Sequence, residues 1–251
     1  MMIETEQPNL SVVIPAYNEQ KRLKTAIPSI VSHLRLRGRP FEIIVVNDGS
    51  RDDTARVTEE LTETYPMIRL ITLNHNRGKG AAVRAGMLAA RGRYVLFTDA
   101  DQSTPISELE KLSVKLEGES YDIAIGSRAA NGADVQGQPG YRVLAGKLFG
   151  LGTRLLVLGG IADTQCGFKC MKREAAQKVF PQVTSDTAIF DVEMLAVASR
   201  EGYRVAEVPV TWVRDPDTRI PYNLRRAIRI WAELFRIKRA QRVGWPLKTR
   251  K

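Results

Sequence analysis

The sequence predicts an α/β fold built on a mostly parallel sheet with helices on both faces. Short runs rich in Val, Ile and Leu alternate with helical stretches through the first half of the chain. These runs are continuously apolar, which is typical of parallel strands buried on both faces. With 251 residues and a hydrophobic fraction of 43%, the chain has the length and composition for one large domain or two small ones.

The elements follow in chain order from the apolar runs and the stretches between them. The runs predict strands at residues 10–15, 41–47, 68–73, 94–98 and 123–126. The intervening stretches predict helices at residues 19–36, 54–64 and 80–90. Strands that alternate with helices in this way favour a parallel sheet over an antiparallel one.

The end of the fourth predicted strand carries Asp99 and Asp101, separated only by Ala100. Two carboxylates this close repel each other in water, so such a pair usually holds a cation or a hydrogen-bonded sugar. Mg²⁺ and Mn²⁺ take a few carboxylate oxygens and keep other positions for phosphate and water. An acidic turn that serves solubility alone is the alternative.

Polar motifs follow three strands at the same edge of the predicted sheet. Residues 15–19 (Pro-Ala-Tyr-Asn-Glu) end the first strand, residues 47–50 (Asn-Asp-Gly-Ser) end the second, and residues 99–101 end the fourth. In sheets of this type, ligands bind beyond the carboxyl ends of the strands. The three motifs therefore predict one shared binding site.

Residues 76–82 (Asn-Arg-Gly-Lys-Gly-Ala-Ala) form a glycine-rich motif before a predicted helix. Its glycines let backbone amides approach a phosphate at the helix start. A dinucleotide fingerprint follows the first strand and has a third glycine, whereas this motif follows the third strand and lacks that glycine. This argues against an NAD enzyme and leads us to expect that Lys79 reaches an anionic ligand. A plain glycine turn is the alternative.

The composition narrows the class of protein. Cys166 and Cys170 have no partner cysteines or nearby histidines, so we expect free thiols in a reducing compartment rather than a zinc site or a disulfide framework. Residues 1–9 are short and acidic and lack the apolar core of a signal peptide, so we expect a cytoplasmic chain. The net charge of +10 favours an anionic partner: nucleic acid, a membrane surface or a phosphorylated substrate.

Much of the positive charge lies near the C-terminus, in residues 223–243. Trp231 and Phe235 are interleaved there with basic residues, namely Arg225, Arg226, Arg229, Arg236, Lys238, Arg239 and Arg242. The pattern predicts an amphipathic helix with aromatic residues on one side and arginines on the other. Such a helix is typical of attachment to an anionic lipid surface. A helix that packs on the core with a basic outer face is the alternative.

Taken together, these motifs resemble those of family 2 glycosyltransferases with the GT-A fold, close to the dolichyl-phosphate glucose and mannose synthases. The resemblance runs from residue 11 to about residue 212, with landmarks at residues 15–19, 47–50, 76–80, 99–101 and 126–128. Residues 163–169 (Asp-Thr-Gln-Cys-Gly-Phe-Lys) and 190–193 (Phe-Asp-Val-Glu) are more similar to the glucosyl than to the mannosyl branch.

The resemblance implies a nucleotide-sugar site with a divalent cation. Asp101, with Asp99 near it, would bind the Mg²⁺ or Mn²⁺ that bridges the diphosphate and offsets charge on the leaving group. Asp48 would accept a hydrogen bond from the base, and the turn after the first strand would form a wall around base and ribose. The residues assigned to the nucleotide sugar are Pro15, Ala16, Tyr17, Glu19, Asp48, Lys79, Asp99, Ala100, Arg214 and Arg219.

The resemblance also implies an acceptor site for a lipid phosphate. Arg128 is the candidate ligand of the acceptor or leaving phosphate, and Asp191 occupies the place where related transferases carry a base. The alternative for Asp191 is a carboxylate that caps a helix at residues 192–200. Arg214 and Arg219 lie on a loop that closes over the diphosphate or is simply solvated.

A Leu- and Gly-rich segment at residues 141–162 adds a possible lipid contact. Lys147 and Arg154 interrupt it, and a spanning helix needs about 20 mainly apolar residues. We therefore expect an in-plane helix or an apolar wall for a polyprenyl chain.

These expectations combine into one functional hypothesis. A tail (residues 1–9), a GT-A domain (10–220) and a basic helix with its tail (221–251) would form an inverting transferase on the cytoplasmic membrane face. It would move glucose from UDP-glucose onto dolichyl or polyprenyl phosphate; mannose transfer from GDP-mannose is the alternative. Nucleic-acid binding is disfavoured because the acidic strand ends repel phosphate and the aromatic residues lack a stacking pattern. A silent sugar-nucleotide sensor is disfavoured by the intact acidic pair.

Overall fold

One seven-stranded sheet organises the chain, with helices packed on both of its faces. The computed structural model describes residues 7–140, 146, 149–153, 160–216 and 224–240. Within these residues the strands are β1 (Leu10–Ala16), β2 (Phe41–Asn47), β3 (Ile68–Thr72), β4 (Tyr94–Thr98), β5 (Ile123–Ser127), β6 (Asp134–Gln136), β7 (Phe168–Lys172), β8 (Val205–Pro209) and β9 (Thr211–Val213). The helices are α1 (Gln20–Leu36), α2 (Thr54–Thr64), α3 (Lys79–Ala89), α4 (Leu109–Glu117), α5 (Arg173–Val179), α6 (Phe190–Arg200) and α7 (Leu224–Ala240).

The order of strands in the sheet is β3-β2-β1-β4-β7-β5-β8. Every neighbouring pair is parallel except those of β7, which runs antiparallel to both β4 and β5. The mostly parallel sheet predicted from the sequence is therefore confirmed, with one reversed strand inside it. Because β7 is reversed, its beginning lies at the carboxyl edge of the other strands. β6 and β9 form a second, two-stranded parallel sheet.

The predicted elements agree closely with the observed ones. β2, α2 and β4 have the predicted bounds, and β1, α1, β3, α3 and β5 differ by one residue at one or both ends. The sequence analysis did not predict β6 to β9. β6 and β9 contain only three residues each, β7 carries two lysines among five residues, and β8 contains a glutamate and ends in proline, so none of them shows a continuous apolar run.

Alternate residues of the central strands face opposite sides of the sheet. In β1, Val12 and Ile14 join the apolar cluster under α1, α2 and α4, whereas Val13 joins the cluster under α3, α5 and α6. All three side chains are fully buried. Burial on both faces explains why these strands are continuously apolar in sequence.

The C-terminal helix α7 packs on the same face of the sheet as α6. Leu234 and Ile237 are buried in the cluster of that face. The Trp231 ring lies against Gly152, where an added Cβ would fall 2.3 Å from the ring. Trp231 and Phe235 lie four residues apart on one side of the helix and are 37% and 56% exposed. The helix therefore has a buried apolar edge and an exposed apolar edge.

Two predicted features extend beyond the described residues. Of the segment 141–162, residues 149–153 are helical, and the end of the predicted C-terminal helix at residues 241–243 is not described. Within the described part of the chain, no helix has both the length and the hydropathy needed to cross a bilayer.

The two cysteines lie inside the core, in the apolar cluster under α1, α2 and α4. Both are free thiols and buried. Burial raises the pKa of Cys166 and raises that of Cys170 to about 12. Since the thiolate is the reactive form of cysteine, these two residues act as packing residues in the core.

Candidate active site

The turns after β1, β2 and β4 lie side by side because β1 pairs with both β2 and β4. Hydrogen bonds join the first two turns. The Asn18 amide donates to the Ser50 hydroxyl at 2.9 Å, and the Glu19 amide donates to the Thr54 hydroxyl at 2.8 Å. Asn18 has a left-handed φ of 57°, a conformation in which Asn is enriched. The three turns form one rim at the carboxyl edge of the sheet.

Asp48 ties the glycine-rich loop to this rim. Its two carboxylate oxygens accept hydrogen bonds from the amides of Arg77 and Gly78, both at 2.8 Å. Burial raises the pKa of Asp48, and these two amides oppose the effect. Gly49 (φ +64°) leaves the loop room to approach, because a Cβ there would fall 2.5 Å from the His75 carbonyl carbon. The structure thus gives Asp48 a loop-fixing role that the sequence did not predict; its contact with a base stays a prediction.

Lys79, the first residue of α3, reaches the acidic pair from the loop. Its Nζ lies 2.5 Å from the Oδ1 of Asp99. Burial opposes the charged amine, but the carboxylates of Asp99, Asp191 and Asp101 outweigh it and raise the pKa of Lys79. The anionic group that Lys79 contacts in this structure is therefore the acidic pair itself.

The donor set at the acidic pair suits a hard divalent cation. Asp101 accepts a hydrogen bond from the Ser103 amide at 2.9 Å, while burial and the neighbouring Asp99 raise its pKa. A cation bound beside both carboxylates would remove the electrostatic repulsion between Asp99 and Asp101. Mg²⁺ is usually held by one or two carboxylates together with substrate phosphates and water. Among the described residues, no three acidic, histidine or cysteine side chains group into a metal site.

Gly167 allows the chain before β7 to pack directly on the acidic pair. A Cβ at this position would fall 2.0 Å from the Oδ2 of Asp99. Neither a rotamer change nor a small shift of the backbone relieves so short a distance without moving the carboxylate. Gly167 therefore leaves the space that the Asp99 carboxylate occupies, and a side chain there would displace that carboxylate.

Arg128 lies just beyond β5 and is held in one orientation. Its Nε and Nη2 donate to the two carboxylate oxygens of Asp163 at 2.7 and 3.0 Å, and its guanidinium lies 5.5 Å from the centre of the Trp212 ring. Burial opposes ionisation of Asp163, but Arg128 lowers the pKa of that carboxyl to about 2. The Asp163 carboxylate and the Trp212 ring thus hold the guanidinium in place, and its contact with a phosphate stays a prediction.

Asp191 is part of helix α6 and does not cap it. The helix begins at Phe190 with Ile189 at the cap position, so the alternative of a cap before residue 192 is wrong. The Asp191 Oδ1 lies 2.6 Å from the Nζ of Lys169, and both side chains are buried. Burial raises the pKa of Asp191, and Lys169 opposes the effect.

The remaining candidate residues lie around the rim. Tyr17 is exposed, and Ala16 and Ala100 are buried at the strand ends. The Glu19 carboxylate pairs with Arg22, whose Nε lies 2.7 Å from Asp215, so the first turn is linked to the loop after β9. Pro15 is half-buried in β1. Arg214 begins the loop after β9, with its amide donating to the Gln136 carbonyl at 3.0 Å, and Arg219 lies outside the described residues.

The segment before α6 connects the glycine-rich loop to the C-terminal helix. The Asp186 carbonyl accepts a hydrogen bond from the Gly80 amide at 3.0 Å. Beside it, the Thr187 hydroxyl donates to the carboxylate of Glu233 on α7 at 2.7 Å. The start of α3, which carries Lys79, is therefore linked through this segment to α7.

Two functional residues escaped the sequence analysis. Lys169 and Gly167 belong to the motif at residues 163–169, which indicated the branch of the family but received no role. A lysine inside a buried strand was the available signal for Lys169. No sequence signal marks Gly167, because its constraint arises from a contact with a distant strand.

The solved structures agree with the fold described above. The crystal structure of glucosyl-3-phosphoglycerate synthase from Mycobacterium tuberculosis, in complex with Mn²⁺, UDP and glucosyl-3-phosphoglycerate, matches with a TM-score of 0.66 at 20% identity. The match covers 93% of this chain and 80% of that one. The sheet topology and the acidic pair at its carboxyl edge define a glycosyltransferase of the GT-A fold.

The chain belongs to glycosyl transferase family 2, whose model matches residues 11–180. It is similar to a dolichyl-phosphate beta-glucosyltransferase of Trichomonas vaginalis, with 39% identity over 251 residues that cover 94% of this chain and 73% of that protein. It is also similar to the human dolichyl-phosphate beta-glucosyltransferase, with 39% identity over 216 residues that cover 81% of this chain and 67% of that protein. The family predicted from the motifs is confirmed.

The contact between Gly167 and Asp99 yields a prediction. Gly167→Ala should displace the Asp99 carboxylate and lower transferase activity on the order of 100-fold, because small misplacements of reacting groups have effects of this size. Steady-state kinetics with a nucleotide sugar would measure it. Gly140→Ala is the matched control, since no atom lies within 4 Å of an added Cβ there. Equal activity of the two variants would contradict the role of Gly167.

Proposed function

We propose that this protein transfers glucose from UDP-glucose to dolichyl phosphate or a related polyprenyl phosphate, with inversion at the anomeric carbon. The relatives named as dolichyl-phosphate beta-glucosyltransferases support glucose and dolichyl phosphate as the two substrates. The observation that carries the proposal is the pair Asp99 and Asp101 beside Lys79, at the edge where ligands bind in such sheets.

On the donor side, positive charge must surround the diphosphate. Asp101 and Asp99 would hold Mg²⁺ or Mn²⁺, which is supported by the Mn²⁺ and UDP in the structure of the mycobacterial synthase. When bound, such a cation offsets the charge that develops on the departing UDP. Lys79 supplies a second positive charge from the start of α3, where the helix dipole also favours phosphate. The nucleoside lies along the rim, against Tyr17 and Asp48.

On the acceptor side, a phosphate oxygen attacks the anomeric carbon. A lipid phosphate is already ionised near neutral pH, so no strong base has to remove a proton and positioning matters more. Arg128, held by Asp163 and Trp212, would bind this phosphate, and Arg214 and Arg219 are the further candidates for phosphate contacts. The other contacts made by the loop after β9 would go to the donor diphosphate.

Asp191 is the remaining candidate for chemistry. Its carboxylate is buried, pairs with Lys169 and lies close enough to Lys79 to raise the pKa of that amine. Since an ionised phosphate carries no proton to remove, we assign Asp191 to the orientation of Lys79 rather than to proton transfer.

Donor choice tests the proposal directly. The wild-type protein should transfer label from UDP-glucose, and not from GDP-mannose, to a short polyprenyl phosphate, and the product should extract into an organic solvent. Calorimetry under the same metal conditions should show tighter binding of UDP than of GDP. Transfer from GDP-mannose with tighter binding of GDP would assign the chain to mannose instead, and transfer from neither donor would contradict the proposal.

Asp101→Ala should remove most of the transferase activity, on the order of 10²–10³-fold, because the leaving group loses its electrostatic stabilisation. Chelator should silence the wild type, and added Mn²⁺ or Mg²⁺ should restore it. The control is Asp53→Ala, which removes an exposed carboxylate that pairs with Arg56 on α2. Full wild-type activity in the presence of chelator would exclude the metal role.

A membrane surface would hold the lipid acceptor, and α7 offers a place for it. Leu151, Trp231 and Phe235 are exposed apolar side chains, and Gly152, next to Leu151, contacts the Trp231 ring. Arg236, Lys238 and Arg239 of the same helix are exposed. Exposed aromatic residues beside basic ones are typical of peripheral attachment to anionic lipid. The cytoplasmic leaflet, which carries the anionic lipids, is the surface this proposal assigns.

Binding to anionic vesicles should therefore have two components. Replacing Arg236, Lys238 and Arg239 by Gln should weaken binding at low salt, by about 1 kcal/mol per charge, and salt should weaken the wild type in the same way. Trp231→Ala with Phe235→Ala should remove the part that resists salt. Leu36→Ala, on the exposed side of α1, is the matched apolar control. Unchanged binding of the double aromatic variant at every salt concentration would show that α7 does not insert.

A further inference from the structure

Lys169 is a charged side chain with no access to solvent, in the middle of the sheet. It lies on β7 opposite Phe97 of β4 and Ile125 of β5, and its exposure is zero. Burying an ammonium group costs several kcal/mol unless partners replace its water. A buried lysine in an otherwise apolar face therefore requires a reason.

Three groups surround the Lys169 amine. Its Nζ donates to the Asp191 Oδ1 at 2.6 Å and to the Cys166 carbonyl at 2.5 Å, and it lies 5.1 Å from the centre of the Phe97 ring. The first contact reaches the start of α6. The second reaches the turn that carries Gly167, the residue packed on Asp99. One amine thus connects two parts of the chain that border the site.

The charges next to it alternate in sign. Lys169 faces Asp191, the charge of Asp191 acts on Lys79, and Lys79 contacts Asp99. If a divalent cation takes Asp99 and Asp101, Lys79 loses its partner at 2.5 Å. Among the described residues, Asp191 is then a carboxylate whose charge still acts on Lys79.

Stability alone gives a poor account of the pair. Well-packed apolar residues of similar volume often replace a buried ion pair without loss of stability. The interior around Lys169 and Asp191 already contains apolar side chains, among them Phe97 and Phe190, whose ring centroids lie 5.7 Å apart. The charge of the pair is therefore more useful to the neighbouring site than to the core.

We propose that Lys169 is a positioning residue for the transfer reaction: it holds the Asp191 carboxylate in place behind Lys79 and the Cys166–Gly167 turn against Asp99. This inference rests on the proposed function, because it assumes that Lys79 binds the donor diphosphate. No group on the substrate touches Lys169 itself. Its effect passes through Asp191 and through the turn.

The test compares five proteins: wild type, Asp191→Asn, Lys169→Met, the double variant Lys169→Met with Asp191→Asn, and Lys172→Met. Methionine keeps much of the length of lysine and removes its charge. Lys172→Met is the matched control, because Lys172 lies on the same strand and pairs with Asp122 at 2.9 Å, at the end of β7 away from the site. For each protein, calorimetry measures the affinity for the nucleoside diphosphate that the wild type binds, with Mn²⁺ present. Transfer kinetics and thermal unfolding accompany it.

If Lys169 acts mainly through Asp191, Lys169→Met and Asp191→Asn should each lower diphosphate affinity and transfer, by on the order of tenfold in transfer. The double variant should then be no worse than Asp191→Asn, because residues that act as a unit are not additive. Lys172→Met should keep wild-type affinity and transfer.

Two outcomes would overturn the inference. In the first, Lys169→Met unfolds at a lower temperature but keeps wild-type affinity and transfer, so that its role is structural only. In the second, the double variant keeps wild-type affinity and transfer, so that the pair does not position the site; a larger loss in the double variant than in Asp191→Asn instead measures the part of the effect that passes through the turn. The second comparison holds even if Lys169→Met alone fails to fold, since the double variant has no unpaired buried charge. Absence of glucose transfer by the wild type would contradict the proposed function, while the diphosphate affinities would still test Lys169.

Discussion

Mutual repulsion among carboxylates is the constraint on which this site depends. The carboxyl edge of the sheet collects acidic side chains that burial has separated from water, and burial raises the pKa of both Asp101 and Asp191. Each of three carboxylates has its own cation: the pairs are Lys79–Asp99, Lys169–Asp191 and Arg128–Asp163. These cationic side chains come from α3, from β7 and from the chain after β5. The order of the strands brings them to the acidic edge, where they offset the repulsion among the carboxylates. Within the described part of the chain, Asp101 is the carboxylate of this group without such a cation partner, and it is the one to which we assign the divalent cation.

Much of the fold follows from short-range sequence patterns. β2 and β4 are continuous apolar runs because both faces of the sheet are covered, and their bounds could be read directly. The placement of Asp48, Asp99 and Asp101 at one edge followed from the rule that parallel strands end on the same side. The three residues could therefore be assigned to one rim without any knowledge of their side-chain contacts.

The features that sequence could not supply arise from contacts between distant segments. β7 interrupts a parallel sheet in the antiparallel sense, and its lysines conceal it as a strand. Gly167 has no room for a side chain because Asp99, which follows β4, packs against it. Both carboxylate oxygens of Asp48 accept hydrogen bonds from the loop after β3. In α7, periodicity indicated one apolar face, but only packing separates the buried Leu234 from the exposed Phe235. In each of these examples, the role of the residue depends on which distant residue it contacts, and its own type does not reveal that contact.

The reversal of β7 has a topological consequence for how this enzyme can vary. β5 ends at the carboxyl edge with Ser127, and β7 begins at that same edge with Phe168. The two ends of the segment 128–167 therefore lie at the same edge of the sheet. Changes of length between β6 and the chain before β7 would leave the register of every described strand unchanged, because both ends of that stretch stay at this edge. This part of the chain can therefore vary among homologues without any change in the sheet.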